Sequence, residues 1–281
     1  MPLVDCGGRK IGYESGGPAD GSAPLLVLQP PGASGASIWR AIAAPLQNRF
    51  RTVAVNPSAY GDTEPFAGRE PMTIRDEAAA TAAVIRAEMR NAAGERARFA
   101  GHSYGGTVGL VLALEWPDLV DRMTLLEPAP YPLLREAGEA AFAAEIEGRN
   151  EDFIATVRGG GLNREAMESY LDYFNARPGY WRSLDRETQA RMLTLSERLA
   201  VGLEAVGRLE TSRADLEAIA VPVTVIRGGA TDPLHARLSE LVAGAIPGAA
   251  LVDLPGAGHM MTLTHGPQIA EILRISAGAA S

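Results

Sequence analysis

Short apolar runs alternate with longer amphipathic stretches along this chain, and their spacing predicts an α/β fold. Leu3–Cys6 and residues 10–14 read as strands around a tight turn at Gly7-Gly8. Residues 25–28 (Leu-Leu-Val-Leu) and Arg51–Val55 are the continuous apolar runs expected of strands buried on both faces. Between them, residues 29–35 break regular structure, and a helix is predicted over 37–46 with Ser37 as its N-cap. The alanine-rich stretch 73–92 predicts a long helix capped at or beside Thr73. Residues 97–100 read as a strand and 107–116 as the helix after it, stopped at Trp116-Pro117. Residues 122–127 form the next strand, ended by Pro128. Strand, helix, strand in this rhythm implies a parallel sheet with right-handed crossovers.

The rhythm fails after Pro128. From residue 129 to about 215 the pattern is helical and rich in aromatic residues, with Gly159-Gly160-Gly161 as a flexible joint. Strand and helix resume at 221–227, 234–246, Ala250–Leu254 and 267–275. The expected organisation is therefore a core of residues 1–128 and 216–281, interrupted by a helical cap over 129–215 that reads as a lid.

Composition narrows the function classes. A net charge of −8 argues against nucleic acid or an anionic membrane as partner. Cys6 is the single cysteine, so an intrachain disulfide and a cysteine-rich metal site are both impossible. No apolar run reaches the length of a membrane span, and residues 1–5 lack the basic and apolar regions of a signal peptide. The expectation is a cytoplasmic protein with a small-molecule substrate and neither metal nor cofactor; a homodimer is compatible with the sequence.

The chemistry concentrates in Gly101-His102-Ser103-Tyr104-Gly105-Gly106. A serine flanked at two residues on each side by glycine, between strand and helix, is the pattern of a nucleophile elbow. The turn is so sharp that the flanking positions must lack a Cβ, and it lifts the serine hydroxyl clear of the sheet. It also aims the Tyr104 N–H where an oxyanion would form. Ser103 needs a base, and there are four histidines to search. His102 sits beside the serine in the turn and points away; His235 falls in a predicted helix; His265 follows no strand directly. His259 lies in the glycine-softened loop after the last strand, from which it can swing back over the sheet edge, and is the expected base. For the orienting acid, Asp232 follows the seventh strand and completes the order Ser103, Asp232, His259. Glu127, at the end of the preceding strand, is the rival.

These motifs, with the Gly228-Gly229-Ala230-Thr231-Asp232 and Pro255-Gly256-Ala257-Gly258-His259 loops, resemble the α/β-hydrolase fold superfamily in its capped, esterase-like branch. The resemblance runs nearly end to end. It implies a mostly parallel eight-stranded sheet flanked by helices, with the helical cap between the sixth and seventh strands. Two departures stand out. Relatives carry His-Gly after the third strand and then the second oxyanion donor; here Gln29-Pro30-Pro31-Gly32 stands instead, and proline has no N–H. Gly32 is the expected donor, with Ala33 second. The glycine-rich loop after the fourth strand is replaced by 56–63, where Tyr60 can face the pocket.

The leading expectation is a serine hydrolase that forms an acyl-enzyme on a small to medium, mostly apolar ester, lactone, thioester or carbon–carbon bond substrate. Tyr170, Tyr173, Phe174 and Trp181 of the cap are the expected substrate-binding residues, although the first three lie on one helical face and could equally pack the cap onto the core. The competing expectation is a non-hydrolytic member of the fold, a ligand-binding protein or cofactor-free lyase or oxygenase, with an altered oxyanion loop.

Overall fold

The computed structural model describes residues 1–68, 71–160 and 164–276; Gly161, the last glycine of the expected joint, lies outside them. Eight strands form one sheet: β1 Leu3–Cys6, β2 Arg9–Gly16, β3 Pro24–Gln29, β4 Arg51–Val55, β5 Ala93–His102, β6 Val120–Leu126, β7 Val223–Gly228 and β8 Ala250–Leu254. Their order is β1-β2-β4-β3-β5-β6-β7-β8. β2 pairs antiparallel with both β1 and β4, and every pairing from β4 to β8 is parallel.

The continuous apolar runs are explained by burial on both faces. Along β3, Leu25 and Val27 join one hydrophobic cluster, and Leu26 and Leu28 join the other, because successive side chains of a strand point to opposite faces. Helices Ile74–Glu88 and Tyr104–Glu115 cover the first face; Trp39, Ile42 and the helix Gly266–Ser276 cover the second. Thr73 caps its helix as expected, in a reciprocal capping box with Asp76. Ser37 does not cap. The segment 36–46 is short 3-10 and α turns whose first cap position is Gly35.

Between β6 and β7 the described chain is helical, including Ala140–Arg158, Arg164–Phe174 and Ser196–Gly207. These helices pack on one another through Ile146, Phe153, Met167, Phe174, Leu199 and Leu203, all buried. No helix among the described residues is long and apolar enough to cross a membrane.

Candidate active site

Ser103 stands where β5 gives way to helix Tyr104–Glu115, at φ 52° and ψ −113°, a strained conformation for a residue with a Cβ. Its N–H donates to the Leu126 carbonyl at 2.8 Å, which extends the β5–β6 ladder to Ser103 itself. The flanking glycines are required by contact. A Cβ on Gly101 would lie 2.3 Å from the Gly105 carbonyl oxygen, and one on Gly105 would lie 2.3 Å from that of Gln29. The elbow helix begins at Tyr104, three residues before the predicted start, so the Tyr104 N–H belongs to the first turn, where amides have no partner within the helix.

His259 arrives from the loop after β8 and is 3% exposed. Its Nε2 is 3.1 Å from Ser103 Oγ, and its Nδ1 is 2.7 Å from Glu127 Oε2. With a carboxylate accepting from Nδ1–H, Nε2 carries a lone pair that faces the Ser103 hydroxyl. Glu127 is wholly buried and sits one residue past β6, at φ 39°. Its other oxygen accepts from the Gly228 N–H at 2.7 Å, and Thr231 Oγ donates to Oε2 at 3.0 Å. Burial alone would raise this carboxyl; the hydrogen bond and charge of His259, with the Gly228 amide, outweigh it and hold Glu127 below the usual carboxylate range.

The carboxylate against His259 is therefore Glu127, and the expected acid Asp232 is engaged elsewhere. Asp232 is the N-cap of helix Pro233–Ala245, with Oδ1 accepting from the His235 N–H at 3.0 Å and Oδ2 2.6 Å from His235 Nδ1. The physical reason is local. Asp-Pro starts a helix well, and a carboxylate used to cap that helix is turned toward its first turn and away from the loop after β8. Burial opposes the Asp232 charge, but its bonds to His235 prevail and bring the carboxyl down to about 2.

His102 does point away from the serine, and that direction has a use. Its Nε2–H donates to the His259 carbonyl at 2.8 Å, and its Nδ1 is 3.1 Å from Thr262 Oγ. Burial holds this imidazole well below the ordinary histidine range, so it stays neutral, tying the loop after β8 to the elbow. The elbow motif carries His102 in plain view, but only the fold shows that its partner lies 157 residues away.

Ser103 opens onto two adjoining cavities. The narrower is lined by Gly32, Ala33, Tyr60, Tyr104, Tyr131 and Leu199. The wider also includes His259, Phe174 and Leu195. Gly32 and Ala33 line both, beside Ser103, with Ala33 at φ 58°. Of the expected substrate-binding residues, Tyr170 lines both cavities and Phe174 the wider one, where its ring is 5.5 Å from that of His259. Trp181 is 0% exposed and lines neither; it is packed inside the helical segment under Arg164. Tyr173 lines neither as well, with its ring edge-to-face against Phe174 at 5.1 Å and under Arg149 at 3.8 Å. Both differ from the sequence expectation: Tyr173 lies on the side of its helix that meets Arg149, and Trp181 lies outside that helix, on the short turn Tyr180–Ser183, where its backbone N–H donates to Asp172 Oδ1 at 2.8 Å. Among the described residues, no group of three or more His, Cys, Asp or Glu side chains could hold a metal ion.

Known proteins share this frame. The protein named "Putative carbamate hydrolase RutD" of Klebsiella pneumoniae is 26% identical over 261 residues, covering 90% of this chain and 90% of that protein. The 2-(acetamidomethylene)succinate hydrolase of Mesorhizobium japonicum is 24% identical over 251 residues, covering 85% of this chain and 82% of that protein. The crystal structure of the enol-lactonase from Burkholderia xenovorans LB400 superposes with a TM-score of 0.76 at 21% identity, over 98% of both chains. The model of the alpha/beta hydrolase family matches residues 25–272. This chain belongs to the alpha/beta hydrolase family.

Proposed function

We propose that this protein is a serine hydrolase with a Ser103–His259–Glu127 triad, acting through an acyl-enzyme on a small to medium, mostly apolar carbonyl substrate. The observation that carries the reading is the continuous path from Ser103 Oγ to His259 Nε2 at 3.1 Å and from Nδ1 to Glu127 at 2.7 Å, at the floor of a cavity. Ser103 Oγ attacks the carbonyl carbon while its proton passes to His259 Nε2. Collapse of the tetrahedral intermediate releases the leaving group, which takes that proton. Water, deprotonated in turn by His259, then cleaves the acyl-enzyme to the acid and free Ser103.

The substrate bond is an ester, lactone, thioester or activated carbon–carbon bond. The relatives' names extend the range to carbamates and to 2-(acetamidomethylene)succinate. The helices between β6 and β7 act as a lid over the pocket, with Tyr170 and Phe174 as its substrate-facing side chains. The oxyanion is received by the N–H groups of Tyr104 and Gly32, with Ala33 as the alternative second donor. Because two non-proline amides follow Pro31 beside Ser103, loss of donors at Pro30 and Pro31 leaves the hole able to form, which favours hydrolysis over simple ligand binding. The reading is tested by exposing the protein to a fluorophosphonate and to a panel of chromogenic esters, thioesters, lactones and carbamates. Covalent labelling at Ser103 with turnover of at least one member is the expected result; no labelling and no turnover would sink it.

A pH dependence follows from the burial of His259. Burial first, and then the nearby His235, lower its affinity for a proton below the ordinary value of 6.5, against the pull of Glu127. The rate needs the unprotonated ring, so kcat/KM should fall on the acid side through an inflection below 6.5. An acid inflection above about 7 would contradict a base in this environment.

A further inference from the structure

Two histidine–carboxylate pairs lie side by side in this protein, and the triad uses only one. His235, on helix Pro233–Ala245, is 1% exposed, and its ring centroid lies 4.0 Å from that of His259, with the planes 32° apart. Its Nδ1 is held by Asp232 Oδ2 at 2.6 Å, and its Nε2 is 3.4 Å from the Tyr131 hydroxyl. An N-cap requires a single acceptor, and Oδ1 of Asp232 already serves the His235 N–H. The second bond, to the buried ring stacked on His259, is therefore surplus to the cap.

The charges around the two rings can be named. Glu127 faces His259 from the end of β6, and Asp232 faces His235 from the head of its own helix. From β5, the His102 ring lies 5.2 Å from that of His259 and is kept neutral by burial. Tyr131 and Tyr173, the latter 6.5 Å from His235, are both pushed upward by burial and remain uncharged phenols; Arg149 lies beyond Tyr173. Phe174 closes over both imidazoles at 5.5 Å. Two carboxylates thus face two rings in a space closed by aromatic side chains, where like charges interact strongly.

We propose that His235, anchored by Asp232, is a positioning residue for His259: its ring holds His259 in the line from Glu127 to Ser103, and its own positive charge, when protonated, opposes a proton on His259. The arrangement keeps the base free to accept the serine proton under mildly acidic conditions. This inference rests on His259 being the base of the proposed triad.

The test is the pH dependence of Ser103 labelling by a fluorophosphonate, which needs no known substrate. It is measured in the wild type, in His235→Phe, and in the double variant Asp232→Asn, His235→Phe. Phenylalanine keeps an aromatic ring against His259 and removes the charge; the double variant avoids leaving Asp232 buried without its partner. His235→Phe should move the acid limb of labelling upward by about half a pH unit or more, which is about threefold slower labelling on the limb. The double variant should move it upward by less, because it also removes the Asp232 charge that favours a proton on His259. A limb that stays in place or moves down in the folded variants overturns the proposal. An imidazole-nitrogen NMR titration of the wild type and of His235→Phe reads the same coupling without labelling: the protonation step of His259 should move upward in the variant. A His259 step at the same pH in both proteins would also overturn it. Failure of the wild type to label would count against the hydrolase reading alone, because the NMR titration reports on the rings directly.

Discussion

Ser103→Ala should abolish fluorophosphonate labelling and lower turnover by a factor on the order of 10⁵ to 10⁶, leaving the melting temperature within a few degrees of wild type. The large kinetic effect follows because the hydroxyl is the atom His259 Nε2 faces at 3.1 Å. The small effect on stability follows because Ser103 contributes to the fold through its backbone. Its N–H bonds to Leu126 and its carbonyl to the Thr107 N–H at 3.0 Å, and alanine retains both bonds. Alanine also adopts the same positive φ at similar cost, so the elbow loses no more than one side-chain hydrogen bond. Steady-state kinetics and a thermal melt on the same preparation check both halves. A variant that keeps a tenth of wild-type turnover would mean that another group attacks the substrate.

Glu127→Gln should cost about 10³ to 10⁴ in kcat, and Asp232→Asn far less, when both are measured near pH 8. Glu127 meets donors on both oxygens: Gly228 N–H on one, Thr231 Oγ–H and His259 Nδ1–H on the other. A glutamine has one oxygen and one NH2 for these places. With its NH2 toward Gly228 it sets two donors against each other in a buried site. With its NH2 toward His259 it forces the proton onto Nε2, where it faces the nucleophile. Either outcome disables the base, and it does so without removing volume. Asparagine at 232 keeps an oxygen for the His235 N–H, so the cap survives, and no bond to His259 is lost. Equal losses in the two variants, or a larger loss in the Asp232 variant, would return the orienting role to Asp232.

The contrast between these two carboxylates shows how far sequence reasoning reaches. Asp232 and Glu127 both follow parallel strands directly, so both end at the sheet edge where the serine stands, and position along the chain does not separate them. What separates them is geometry. Glu127 N–H bonds to the Ile226 carbonyl at 2.9 Å, which continues β6 one residue further along β7 and carries the longer side chain under the loop after β8. Asp232 is turned the other way by the helix it starts. A place in a helix argues against His235 at the site, yet its first-turn position brings its ring 4.0 Å from that of His259.

Composition and local pattern by themselves pointed to the strands, the sharp Gly101–Gly105 turn and the helical segment between β6 and β7, and singled out Ser103 and His259, whose side chains lie 3.1 Å apart. These features depend on chain-local physics: apolar runs that need two buried faces, glycines that a sharp turn requires, and a loop that must follow a strand. The tertiary structure alone decided which carboxylate meets His259, that His102 and His235 converge on it, and that Trp181 packs away from the pocket while Phe174 reaches it. Those outcomes depend on distances between separate elements, as far apart in sequence as 132 residues for Glu127 and 157 for His102 against His259. Such distances are set by strand register and helix packing, which no short stretch of sequence encodes by itself.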